Sequence, residues 1–148
     1  MNKYYFDDMA NRDRLRDILY EWRNTPYRHA CSVKGGGADC IGFVAGVLAE
    51  TGAAPTVRIP DYPRDWHIHN DKERLLDGIR SAFNVDQIPV CRPANGDIIL
   101  YRFGKCASHS AIFCDGYIWH CIINAGVHRL KYYDKKWKKR IKAILRIK

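Results

Sequence analysis

Cys40, His109 and His120 are the residues whose chemistry and spacing stand out. Cys40 follows the stretch Gly35-Gly36-Gly37-Ala38-Asp39 and opens an apolar run of helical spacing. A thiol at a helix start feels the positive end of the helix dipole and nearby unpaired backbone N–H groups, and both favour the thiolate, the nucleophilic form. Glycines ahead of it let the backbone approach a substrate closely. The competing reading is a buried structural cysteine, the common fate of a free thiol.

The two histidines flank a turn signal. Ser110 to Cys114 and Tyr117 to Ile123 are β-prone runs separated by Asp115-Gly116. That dipeptide between such runs marks a two-residue hairpin. The turn pairs Cys114 with Tyr117, Ala111 with His120 and His109 with Ile122. His109 and His120 then share a face, one diagonal step apart, roughly 7 to 8 Å at Cα and within reach for aromatic side chains. One imidazole can take a proton from a cysteine while the other orients it, the nucleophile–base–orienter arrangement of acyl transfer. The alternative is two histidines on a half-exposed sheet face.

The elements that must position these groups follow from periodicity. Leu15, Ile18, Leu19 and Trp22 predict a helix over Asp8 to Arg23, stopped by Thr25-Pro26. Ile41, Val44, Ala45 and Leu48 predict a second helix from Cys40, with Gly52 as its stop. Ala53 to Asn70, with Pro55, Pro60, Pro63, Tyr62, Trp66, His67 and His69, reads as an irregular loop. A third helix is expected near Asn70, with Asn70 and Glu73 as a capping box and Leu75, Leu76, Ile79 and Phe83 facing the core. Asp97 to Phe103 is strand-like, and the tail alternates, with Ile141, Ala143, Leu145 and Ile147 on one face. Helices first and strands after predict an α+β domain with N-terminal helices packed on a central antiparallel sheet.

With 148 residues, the chain is sized for one domain. No apolar run approaches the roughly 18 to 20 residues of a bilayer-spanning helix, so no membrane insertion is expected. Met1 to Arg16 is charged throughout and does not read as a secretory signal peptide. In that context the six cysteines read as thiols rather than a disulfide framework, with Cys31, Cys91, Cys106, Cys114 and Cys121 as packing or surface groups. Of the net charge of +9, Lys131 to Lys148 supplies +8, from nine Lys/Arg against Asp134. This tail suggests a polyanionic neighbour or a solvated face.

In combination, several stretches resemble a known family. Thr25-Pro26-Tyr27-Arg28-His29 and Gly36-Gly37-Ala38-Asp39-Cys40-Ile41-Gly42-Phe43-Val44 are similar to the nucleophile region of the NlpC family of cell-wall cysteine peptidases. Asn95-Gly96-Asp97-Ile98-Ile99-Leu100-Tyr101 and Ser108-His109-Ser110-Ala111-Ile112-Phe113 resemble its later strands, and the likeness runs from about residue 12 to the C-terminus. Tyr27 to Gly35 more closely resembles the short branch encoded among phage tail genes. The resemblance implies a papain-like fold, with Cys40 as nucleophile, His109 as base and His120 as the third polar residue. It implies Tyr27 near the oxyanion site, and Asp39 and Ser108 lining the substrate pocket. The implied substrate is the peptidoglycan stem peptide, cut between γ-D-glutamate and a diamino acid. No metal or organic cofactor is implied. Other phage tail proteins become candidate partners, and a virion acting at the cell wall a candidate location.

The chain departs from the family pattern at Ile41, where serine is common, at Asn95, where a proline is common, and at Ser110, where valine or leucine is usual. Other readings stand beside the peptidase. Cys106, His109, Cys114, His120 and Cys121 crowd one region as a zinc site would, but the hairpin register sends Cys114 and Cys121 to the face opposite the histidines. Lys135-Lys136-Trp137-Lys138-Lys139-Arg140 mixes cations with an aromatic, as a nucleic-acid contact would, or covers a sheet edge; nucleic acid is not the expected partner. A papain-like enzyme for another amide or ester and a non-catalytic tail assembly part complete the alternatives.

Overall fold

The computed structural model describes residues 2–58 and 72–148. Helix α1 (Met9–Trp22) is capped by Asp8, whose side chain accepts from the Asn11 N–H. Its apolar stripe, Leu15, Ile18, Leu19 and Trp22, is buried as the spacing predicts. Helix α2 (Cys40–Thr51) starts at Asp39 and ends at Gly52 in the left-handed conformation. Between them lies a two-stranded ribbon of β1 (Ser32–Val33) and β2 (Gly37–Ala38).

Helix α3 (Arg74–Ala82) begins later than the capping box predicts. Glu73 precedes it without capping it, because its carboxylate turns away to accept the Ala107 N–H at 3.2 Å. Asn70, the expected cap, lies outside the described residues, as do Tyr62, Trp66, His67 and His69 of the proline-rich loop.

Six antiparallel strands follow: β3 (Val85–Ile88), β4 (Ile98–Phe103), β5 (Cys106–Cys114), β6 (Tyr117–Ile122), β7 (Gly126–Lys131) and β8 (Ile141–Ile147), in spatial order β3-β8-β4-β5-β6-β7. The β5–β6 hairpin turns on Asp115 and Gly116, both with positive φ (53° and 84°), and pairs Cys114 with Tyr117 as predicted. Positive φ at both central residues is the twist that a two-residue hairpin favours.

The C-terminal strand β8 lies inside the sheet, between β3 and β4. Its outward residues still find partners. Arg146 makes a two-pronged bond to the buried Asp97 carboxylate, at 2.7 and 2.8 Å, which ties the tail strand to the start of β4. The Lys135–Lys138 stretch forms a single helical turn, α4, capped by Asp134.

The sheet has two buried faces. Leu100, Ile112, Trp119, Ala143 and Leu145 pack with Leu15, Leu19, Phe43 and Val47 of the helices. Ile99, Tyr101, Ala111, Phe113, Ile118, Tyr132 and Ile144 form a second cluster on the opposite face. Each such fully buried side chain contributes roughly 1.5–3 kcal/mol. The helical layer presses α2 against β5 and sets the position of its first residue. No helix among the described residues is long and apolar enough to cross a membrane.

Candidate active site

The loop before Cys40 is held through its backbone groups, by other backbone groups and by a few side chains. Ala38 N–H donates to Pro26 O and Arg28 N–H to Ala38 O, so Tyr27 runs beside the strand that leads to Cys40. Cys121 Sγ donates to Ala38 O at 3.0 Å from β6. Asp39 is fully buried, and its carboxylate accepts the N–H groups of Gly42 (2.7 Å) and Ala30 (2.8 Å). The first bond is the N-cap of α2. The second closes the preceding loop against the helix. Gly42 is required there, because a Cβ would sit 1.9 Å from the Cys31 carbonyl oxygen. Asp39 thus stands beneath the nucleophile loop with its oxygens turned to the backbone.

Cys40 is the first residue of α2 and is partly exposed. Its Sγ lies 3.9 Å from the Ser108 carbonyl, a long S–H···O contact. Ser108 is the extra residue of a β-bulge, since Tyr101 pairs with His109 and Arg102 with Ala107. Bulges re-aim side chains and backbone groups next to functional sites. The Ser108 hydroxyl donates to Phe103 O at 3.2 Å.

Burial and the neighbouring Asp39 carboxylate push the Cys40 thiol up to about 11. The Ser110 hydroxyl and the N–H groups of Ser110 and Ile41 oppose that rise without cancelling it. Here burial and Asp39 outweigh the helix start, which favours the thiolate. The thiol is neutral at rest, so its proton must leave as it attacks.

His109 and His120 meet directly, as the hairpin register predicts: His109 Nε2 is 2.9 Å from His120 Nδ1. A third imidazole, absent from the sequence prediction, continues the row. His128 on β7 is the register partner of His120, and their Nε2 atoms are 3.1 Å apart. The missed signal was the Ile123-Asn124-Ala125 connection before Gly126, a second hairpin turn that places His128 opposite His120.

Trp137 of α4 covers the row, with ring centroids 5.2 Å from His109 and 4.8 Å from His120. Tyr101 and Phe103 pack against His109 from the side. Burial in this aromatic enclosure, reinforced by mutual repulsion among the imidazoles, holds His109 and His120 well below the ordinary histidine range. Both are neutral near pH 7. Trp137 is half-buried by these ring contacts. The surrounding cations face outward instead, where Arg102, Lys139, Arg140 and Lys142 line a surface hollow of about 330 Å³.

Cys40 Sγ therefore touches β5 at Ser108, the residue before His109. Cys40 comes from the helical layer, and His109 stands on the face of Tyr101 and Ala111. Among the described residues, no hydrogen bond yet joins Sγ to His109; apo sites often tighten such contacts only when substrate binds. Tyr27 is half-buried against the core beside Ala38. Among the described residues, no group of three or more His, Cys, Asp or Glu is placed to hold a metal ion.

Comparison with known proteins agrees with this architecture. Residues 24–146 match the model of the NlpC/P60 family. No curated protein sequence matches. Among solved structures, an NLP/P60-family lipoprotein homologue from Staphylococcus aureus superposes with a TM-score of 0.65 at 16% identity, over 95% of this chain and 42% of that one. The NlpC/p60 domain of the peptidoglycan hydrolase SagA gives 0.59 at 16% identity, over 93% and 97%. The peptidoglycan hydrolase RipB of Mycobacterium tuberculosis gives 0.62 at 16% identity, over 97% and 68%. This chain thus spans less than half of the staphylococcal chain and nearly all of the SagA domain. At these identities the superpositions establish the papain-like α+β fold. The family match, which spans most of the chain, establishes more: the chain belongs to the NlpC/P60 family, typically cysteine peptidases and hydrolases of the cell wall.

Proposed function

We propose that this protein is a cysteine endopeptidase that hydrolyses amide bonds in peptidoglycan stem peptides. The observation that carries the reading is the contact of Cys40 Sγ, at the start of α2, with the Ser108 carbonyl, one residue before His109, whose ring is bonded to His120, in a chain of this family. Sγ attacks the amide carbonyl while His109 takes the thiol proton. The Cys40 N–H, one of the unpaired groups of the helix start, and the Tyr27 hydroxyl stabilise the oxyanion. His109 then protonates the leaving amine, and water, deprotonated by the same imidazole, hydrolyses the thioester. His120 orients His109. Ser108 and Asp39 shape the floor beside the thiol.

The bond we assign is the one between γ-D-glutamate and the diamino acid. We further assign the chain to the phage-tail branch, on the resemblance of Tyr27 to Gly35, which makes other tail proteins its partners and the cell wall its place of action. Purified sacculi test the activity. The wild-type protein should release soluble fragments, Cys40→Ala should release none, and His109→Ala should release them at least about 10²-fold more slowly. Release by Cys40→Ala, or release by His109→Ala at the wild-type rate, would overturn the assigned mechanism.

A further inference from the structure

His128 is not accounted for by a nucleophile–base–orienter set, yet it completes the imidazole row and fixes the row's direction. Its Nδ1 lies 3.1 Å from the Gly126 carbonyl oxygen. A carbonyl only accepts, so His128 Nδ1 carries the hydrogen. When the ring carries a single N–H, at Nδ1, His128 Nε2 is an acceptor. The facing His120 Nε2, 3.1 Å away, must donate to it. His120 Nδ1 is left as an acceptor, and His109 Nε2, 2.9 Å away, must donate in turn. His109 Nδ1 is therefore bare, with a lone pair available for the thiol proton.

The direction is set at Gly126, and the geometry there is tightly held. Gly126 has φ +70°, and a Cβ would lie 2.3 Å from the Thr25 carbonyl oxygen. Val127 N–H donates to Thr25 O and Asn24 N–H to Val127 O, which clamps this corner to the loop leading toward Cys40.

We propose that His128 is a positioning residue for the hydrolysis: through His120 it holds His109 in the tautomer whose Nδ1 is unprotonated. The inference rests on the proposed roles of Cys40 and His109. When the Cys40 S–H bond breaks, the proton forms an N–H bond at His109 Nδ1, and the sulfur keeps the electron pair that attacks the carbonyl. The His109 imidazolium still donates from Nε2 to His120. A row running the other way would put the hydrogen on His109 Nδ1 and leave no acceptor for the thiol.

Nitrogen-15 NMR of the histidine rings in the full chain at pH 7 tests the proposal, together with kcat and KM on a stem peptide. In the wild type, His109 should show a protonated Nε2 and a bare Nδ1. His128→Leu should mix the tautomers of His120 and His109 and lower kcat by about tenfold or more with KM little changed, as loss of a tautomer-fixing partner does. In His128→Gln, the side-chain carbonyl can accept from His120 Nε2, and both the tautomer and kcat should recover toward wild type. Wild-type His109 protonated at Nδ1 would overturn the proposal. So would unchanged tautomers and kcat in His128→Leu, or equal losses in both variants with the tautomers intact. The NMR measurement needs no turnover. A wild-type protein with the expected tautomers but no hydrolysis would instead refute the peptidase reading.

Discussion

The loop that presents Cys40 and the row that presents His109 are built on opposite principles. Bonds to main-chain groups hold the loop: the Asp39 carboxylate to two N–H groups, Ala38 to Pro26 and Arg28, the Cys121 thiol to Ala38 O. Side-chain rings hold the row, each imidazole bonded to the next and roofed by Trp137. The nucleophile must advance on a carbonyl along one line, and rigid backbone suits that. The base must keep one nitrogen bare and neutral, and a dry aromatic enclosure with a directed row suits that. The same desolvation raises the thiol and lowers the imidazoles, so both partners rest uncharged.

The largest expected effect breaks the comparison at its centre. Cys40→Ala should lower kcat by roughly 10⁴-fold or more, since the thioester forms on Cys40 Sγ. His109→Ala should cost roughly 10²- to 10⁴-fold, the range of general acid–base catalysis. His120→Ala should cost less than His109→Ala, because it orients the base without transferring the proton to substrate. Steady-state kinetics on a stem peptide ranks the three, and equal losses at His109 and His120 would refute the ranking.

Smaller effects separate backbone from ring control. Asp39→Ala removes the N-cap of α2 and leaves buried N–H groups without their acceptor. It should destabilise the fold by about 2–3 kcal/mol in urea unfolding. A loss under about 0.5 kcal/mol would show that the loop is held by other means.

Acid should act on the row. His109 and His120 have folded values below the unfolded value of 6.5, so the unfolded chain binds more protons between those limits. Stability is full above pH 6.5 and is lost as pH falls below it, by up to about 1.4 kcal/mol per pH unit for each histidine. Urea midpoints at pH 7 and pH 5 in the wild type and in His120→Asn measure this. An equal acid sensitivity in the two proteins would assign the loss to other groups.

The sequence made these two regions legible to different degrees. Asp115-Gly116 fixes a hairpin register by itself, so the meeting of His109 and His120 could be read from spacing alone. The stripe of α1 was equally plain, because that helix has a single buried face to satisfy, whereas α2 is buried nearly all round, from Gly42 to Ala45 and at Val47, Leu48 and Thr51. His128 was obscured because Arg129 and Lys131 make β7 look like a solvent segment, and its role depends on the partner strand. The internal position of β8 was hidden for a related reason. Its outward positions include Lys142 and Arg146, and only the fold reveals that Asp97 awaits one of them. The raised thiol was illegible too. A helix start predicts a thiolate, and burial beside Asp39 is a property of packing.

The most direct test is mass spectrometry of defined muropeptides incubated with the wild type and with Cys40→Ala. The wild type should release an L-Ala-γ-D-Glu fragment and the variant none. No release from any muropeptide, or equal release by both proteins, would contradict this mechanism.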